Sequence, residues 1–130
     1  MKLLVLTPEP IDADALRTVA GDEAMDAEVL VISPAASDSG LRFWMSDVDR
    51  AISDAQDTAD ETAERLEEDG IDVVADTGES EPAVALQDAL ATFAADRIVV
   101  FAHPDDQKAY REDKDLDALG VPITFAEIER

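Results

Sequence analysis

The chain has 130 residues, 46% of them apolar, which is enough to fill one core and near the usual size of a single domain. Its 32 acidic residues against 10 basic ones leave a formal net charge of -22, which on electrostatic grounds excludes nucleic acid and anionic membrane surfaces as partners. It contains no cysteine, so disulfides, thiolate metal sites and thiol redox chemistry are excluded as well.

In chain order, Lys2 to Leu6 reads as a buried strand, stopped by Thr7-Pro8-Glu9-Pro10 because proline cannot donate to a sheet ladder. Asp12 or Asp14 can cap a short helix through Ala13, Leu16, Val19 and Ala20, with Gly21 as its stop. Glu28 to Ile32 repeats the buried-strand signature and ends at Ser33-Pro34; Ala35 to Leu41, rich in Ser, Asp and Gly, reads as a loop. Trp44, Val48, Ile52, Ala55, Ala59, Ala63 and Leu66 then recur at three- and four-residue spacing, which predicts a long helix capped by Ser46 and ended by Gly70. Its opposite face, from Asp47 to Glu68, is acidic and reads as a solvated surface.

Ile71 to Ala75 is a shorter, more polar strand expected near an edge, and Thr77-Gly78-Glu79-Ser80 turns the chain. Ser80 or Glu81 caps the next helix, with Pro82 in its first turn and Leu86, Leu90 and Phe93 as its buried stripe. Arg97 to Ala102 is the central strand, and it runs straight into His103-Pro104-Asp105-Asp106, which holds the chain's only histidine. A further helix runs from Pro104 to Asp106 towards Leu119 and is closed by Gly120, and Val121 to Ile128 is a last strand whose proline suits an edge. This alternation predicts a three-layer α/β/α sandwich around a five-stranded, mostly parallel sheet with right-handed crossovers. Ligands of such sheets bind beyond the carboxyl ends of the strands, which makes the His103 segment a candidate site.

The order of elements, the turn Glu79-Ser80-Glu81-Pro82 and the strand Arg97-Ile98-Val99-Val100 together resemble the universal stress protein family over nearly the whole chain. The segments Leu41-Arg42-Phe43-Trp44-Met45-Ser46-Asp47 and Phe101-Ala102-His103-Pro104 look like small single-domain members of actinobacteria and haloarchaea. The resemblance implies a Rossmann-like, adenine nucleotide alpha hydrolase-like domain over residues 1–130, a homodimer often formed by pairing last strands, and in one branch a bound ATP. The ATP-binding branch has an Asp after the first strand, and after the fourth a Gly-x-x-Gly loop followed by Gly-Ser/Thr. Here the corresponding residues are Thr7-Pro8-Glu9 and His103-Pro104-Asp105-Asp106-Gln107-Lys108, with no glycine before Gly120. Glycines matter there because they let backbone N–H groups close around phosphate oxygens.

A ligand in the family's position would lie among Thr7, Glu9, Ser33 and the segment bearing His103 and Asp105. Lys108, Arg111 and Lys114 recur every three residues beside it; they either form a cationic strip or pair with Glu112, Asp113 and Asp115 along an exposed helix. Ala102-His103-Pro104-Asp105-Asp106 is also similar to a motif of zinc-dependent N-acetylglucosaminyl deacetylases, which would make His103 and Asp106 zinc ligands and Asp105 the general base. That family takes a third ligand from a second histidine, and this chain has none; its closing Glu is Gln107 here. No nucleophile elbow or triad is legible.

The reading is therefore a cytoplasmic, homodimeric binding or interaction module rather than an enzyme, paired through Val121 to Ile128 and without the family's ATP loop. The competing reading is an ATP-binding stress protein with weak or no hydrolysis. No segment approaches the length of a membrane span, and Met1 to Leu6 is too short an apolar run for a signal peptide. The Asp-heavy, Lys-poor surface fits a halophilic cytosol, and high-GC codon bias would favour the same residues.

Overall fold

The computed structural model describes residues 1–34, 48–78, 82–102, 116 and 118–128, the side chains of 48–52 and 82 excepted. Strands β1 (Lys2–Leu6), β2 (Glu28–Pro34), β3 (Asp72–Gly78), β4 (Arg97–Ala102) and β5 (Ile123–Glu127) form one sheet in the order β3-β2-β1-β4-β5. All four pairings are parallel. Helix α1 (Ala13–Ala20) links β1 to β2, α2 (Val48–Glu68) precedes β3, and α3 (Pro82–Thr92) lies between β3 and β4. The five-stranded α/β fold expected from the sequence is present, and the sheet is parallel throughout.

Side-chain alternation on the central strands divides the core into two layers. Leu3, Val5, Val29, Val31 and Val99 face one way, against Leu16 of α1 and Leu66 of α2. Leu4, Leu6, Ile32, Ile98 and Val100 face the other way, against Leu86 of α3 and Leu116. Strands covered on both faces must be apolar at every position, and Leu3, Leu4, Val5 and Leu6 are at most 1% exposed. Burying each such side chain contributes about 1.5–3 kcal/mol.

Several boundaries differ from the expectation. Asp12, not Asp14, caps α1: its Oδ1 accepts the Ala15 N–H at 2.9 Å, while Gly21 at φ 84° lets the helix end, its N–H donating to the Arg17 carbonyl. A 3-10 turn at Asp22–Asp26, which the sequence reading missed, carries the chain from there to β2. Strand β2 runs on through Ser33 and Pro34. The backbone of Glu28 and Ile32 bonds to β1, so by alternation Pro34 also turns its missing N–H away from β3. Strand β3 continues through Thr77 and Gly78, which were expected to turn the chain, because β2 offers it partners as far as Pro34. Strand β5 starts at Ile123, not Val121, and the Pro122 carbonyl still accepts the Ile98 N–H at 2.8 Å.

Of the predicted stripe on α2, Ala55, Ala59, Ala63 and Leu66 are buried; Trp44, the Ser46 cap and the loop from Ala35 lie outside the described residues. On α3, Leu86 is buried while Leu90 and, just past the helix end, Phe93 are half-buried, and Ala83, Ala85 and Ala89 complete the packed face. Arg97 ties three elements together, its guanidinium donating to the Ala20 carbonyl (3.3 Å) and to Thr124 Oγ1 (2.9 Å). Among the described residues, no helix is long and apolar enough to cross a membrane.

Candidate functional site

The chain winds from β1 outward to β3, then crosses back to β4 on the other side of β1. The carboxyl ends of β1 and β4 therefore flank the point where the strand order reverses, the usual place for a ligand in an open parallel sheet. Leu6 is in register with Val100, so β4 continues past the end of β1 to Ala102. In sequence, His103 follows directly.

Thr7 and Ser33, two of the predicted ligand contacts, are drawn together at the ends of β1 and β2. Thr7 is 0% exposed and Ser33 1%. The Thr7 N–H donates to the Ile32 carbonyl at 3.0 Å, and the Thr7 carbonyl accepts Ser33 Oγ at 2.9 Å. The Thr7 hydroxyl donates to the Glu9 carbonyl at 2.6 Å and receives a long contact from the Glu9 N–H at 3.4 Å. Both hydroxyls are thus engaged in bracing the loop after β1, which places half-buried Glu9 beyond the strand ends. Buried hydroxyls of this kind are stable only because they are satisfied.

A residue the sequence reading passed over completes the brace. Thr62 of α2 is 0% exposed and its Oγ1 accepts the buried Ile11 N–H at 3.3 Å, which fastens the far end of the same loop to the long helix. A signal was present: Thr62 sits between Ala59, Ala63 and Leu66 on the apolar stripe, where a polar side chain needs a partner.

The remaining predicted site residues, His103, Asp105, Asp106, Lys108 and Arg111, lie outside the described residues, as does Lys114. Among the described residues no group of three or more His, Asp or Glu is placed to hold a metal ion. Among the described residues, hollows occur elsewhere. One of about 480 Å³ lies at the amino ends of the strands, lined by Met1, Lys2, Asp26, Glu28, Ala94 and Asp96. There Asp96 and Lys2 close on each other, with Lys2 N–H to Asp96 Oδ2 at 2.9 Å and Asp96 N–H to the Lys2 carbonyl at 2.8 Å. Another, of about 150 Å³, lies between α2 and β3.

Among solved structures, a universal stress protein from Archaeoglobus fulgidus superposes with a TM-score of 0.67 at 18% identity, covering 96% of this chain and 92% of that one. The fold is that of the universal stress proteins. A universal stress protein family protein from Arabidopsis thaliana, with AMP bound, matches with a TM-score of 0.60 at 12% identity, over 99% of this chain and 92% of that one. No family model and no curated protein matches the sequence. The shared fold puts the Thr7 loop and the end of β4 at the switch point of a universal-stress-protein sheet.

Proposed function

We propose that residues 1–130 form a single universal-stress-protein-like domain that works as a cytoplasmic, homodimeric binding or interaction module and does not hold ATP through a glycine loop. One observation carries this reading. The universal stress protein fold extends over 96% of the chain, yet the sequence beyond β4 reads His103-Pro104-Asp105-Asp106-Gln107-Lys108, with no glycine before Gly120. Asp105 and Asp106 would set carboxylates where a polyphosphate needs backbone N–H groups. The dimer would form through β5, an edge strand among the described residues, whose own Ile123 and Phe125 are half-buried and apolar.

The nucleotide-binding reading is favoured by a different observation, the AMP in the Arabidopsis thaliana structure, together with Lys108, Arg111 and Lys114 in a chain otherwise poor in cations. On that reading Thr7, Glu9, Ser33 and the His103 segment surround the nucleotide. Zinc held by His103 and Asp106 is the third reading, supported only by the letters of the motif.

Calorimetric titration of metal-stripped protein separates the three, run in about 1 M KCl, where the screening length is only ~3 Å and self-repulsion is suppressed. The expected result is no saturable heat with magnesium-ATP, AMP or zinc. Saturable nucleotide heat that disappears in a Lys108→Ala/Arg111→Ala double variant establishes the second reading, and zinc heat that disappears in His103→Ala establishes the third. Sedimentation equilibrium tests the dimer: a species that stays monomeric at all concentrations refutes it.

A further inference from the structure

Among the described residues β3 and β5 are the edge strands of the sheet, and they differ in chemistry. Backbone alternation determines what it presents. The Glu28 N–H donates to Met1 and the Ile32 carbonyl accepts from Thr7, so Glu28, Leu30 and Ile32 turn towards β1, while Val29, Val31 and Ser33 turn towards β3. With Val31 in register with Ala75, the ladder bonds fall on Val74 and Asp76. The backbone groups of Val73, Ala75 and Thr77 therefore point out of the sheet. The Thr77 N–H bears this out, since it is taken up at 2.8 Å by the carboxylate of neighbouring Asp76 and not by a strand.

Alongside this edge runs a groove of about 150 Å³ between α2 and β3, lined by Gln56, Ala59, Asp60, Ala75, Asp76 and Thr77. Gln56 and Asp60 stand one helical turn apart, and exposed Glu64 continues the row. Neither β3 nor this row contains a basic residue. On the opposite face of the strand Val74 is 62% exposed, a large apolar side chain left in water on a sheet edge. A strand laid along β3 would thus meet the α2 carboxylates on one side and, on the other, Val74 set between Asp72 and Asp76.

We infer that the β3 edge is a docking site for an extended segment of another protein that alternates basic and apolar residues, added to the sheet as a sixth strand. The outward backbone groups of Val73 and Ala75 supply the main-chain bonds. The groove takes one long basic side chain, its stem over Ala59 and Ala75 and its head near Asp60. An apolar residue on the alternate face covers Val74. Charge decides the occupant: a second copy of this chain would set Asp72, Asp76 and the α2 carboxylates against their own likenesses, and like charges opposed across strands are destabilising. The inference does not depend on what occupies the carboxyl-end site.

The test uses a labelled peptide of alternating lysine and valine, and a control of the same composition with its lysines and valines in separate blocks, both followed by fluorescence anisotropy at about 0.15 M salt. The alternating peptide is expected to bind the more tightly, and the amides of Val73 and Ala75 to gain protection from hydrogen exchange. Ala75→Pro removes one outward N–H while leaving the β2 ladder intact, and is expected to weaken binding about tenfold through lost interstrand bonds. Asp60→Asn should weaken it severalfold. Equal binding of both peptides without amide protection shows diffuse charge attraction and overturns the inference, as does absence of binding. Dissociation of the free protein's own dimer by Ala75→Pro overturns it too, by showing that a second copy occupies the edge. The exchange measurement on the unaltered protein decides the matter even if Ala75→Pro misfolds.

Discussion

Replacing Thr62 with valine keeps the shape of the side chain and its burial but removes the oxygen that accepts the Ile11 N–H at 3.3 Å. Ile11 is 6% exposed, so the orphaned donor has little access to water. A buried donor left without a partner costs about 1–3 kcal/mol. At roughly 2.1 cal/mol/K of unfolding entropy per residue, a chain of 130 residues loses about 4–11 °C of melting temperature for that penalty. Thr62→Ser is the control: it keeps the oxygen and drops one methyl group, a loss of about 0.8 kcal/mol or ~3 °C. Thermal melting by circular dichroism should rank the wild type first, Thr62→Ser second and Thr62→Val last, with faster exchange of the Ile11 amide in Thr62→Val alone. If Thr62→Val melts with the wild type and Thr62→Ser lies below both, the hydroxyl is incidental and packing alone holds the loop.

Other outcomes follow from the same geometry. Gly78→Ala would set a Cβ 2.8 Å from Ile32 Cγ2 and 2.9 Å from Ala85 Cβ, closer than real contacts allow; overpacking of this kind costs about 1–3 kcal/mol, and denaturant unfolding should show it as a lowered midpoint at unchanged slope. Asp12→Ala removes the α1 cap that accepts the Ala15 N–H and should cost about 1 kcal/mol in the same assay, whereas Asp14→Ala should cost markedly less. With a net charge of -22, the protein should gain thermal stability as KCl rises towards about 1 M; a melting temperature independent of KCl would falsify the halophilic reading of its surface.

Fold and site were legible in the sequence to different degrees, for physical reasons. Strands β1, β2 and β4 are covered on both faces, so their apolar runs announce them. Strand β3 is half solvated, and its last residues, Asp76, Thr77 and Gly78, carry no apolar signal; they are strand because β2 pairs with them, which no local pattern records. The cap on α1 was narrowed to two aspartates and no further, because choosing Asp12 requires knowing where the first turn begins. At the site, residue type singled out Thr7 and Ser33 as ligand contacts, and they lie together at the strand ends. Hydroxyls can face a ligand or fold back on the backbone, and only the coordinates show that these fold back.

Among the described residues the sheet ends in two edge strands, and their contrast bears on how the molecule can associate. At β5 the residues flanking the edge are Ile123 and Phe125, packed partly into the core beside α3, with Arg97 holding Thr124 in place. At β3 they are Asp72, Val74 and Asp76, with the acidic row of α2 alongside. Pairing identical copies through β5 brings few like charges together, whereas pairing them through β3 opposes carboxylates along the whole strand. Dimerised through the first edge, as proposed, the molecule would carry the second at both ends of the joined sheet. There the row of carboxylates that repels another copy is what favours a basic strand over a neutral one.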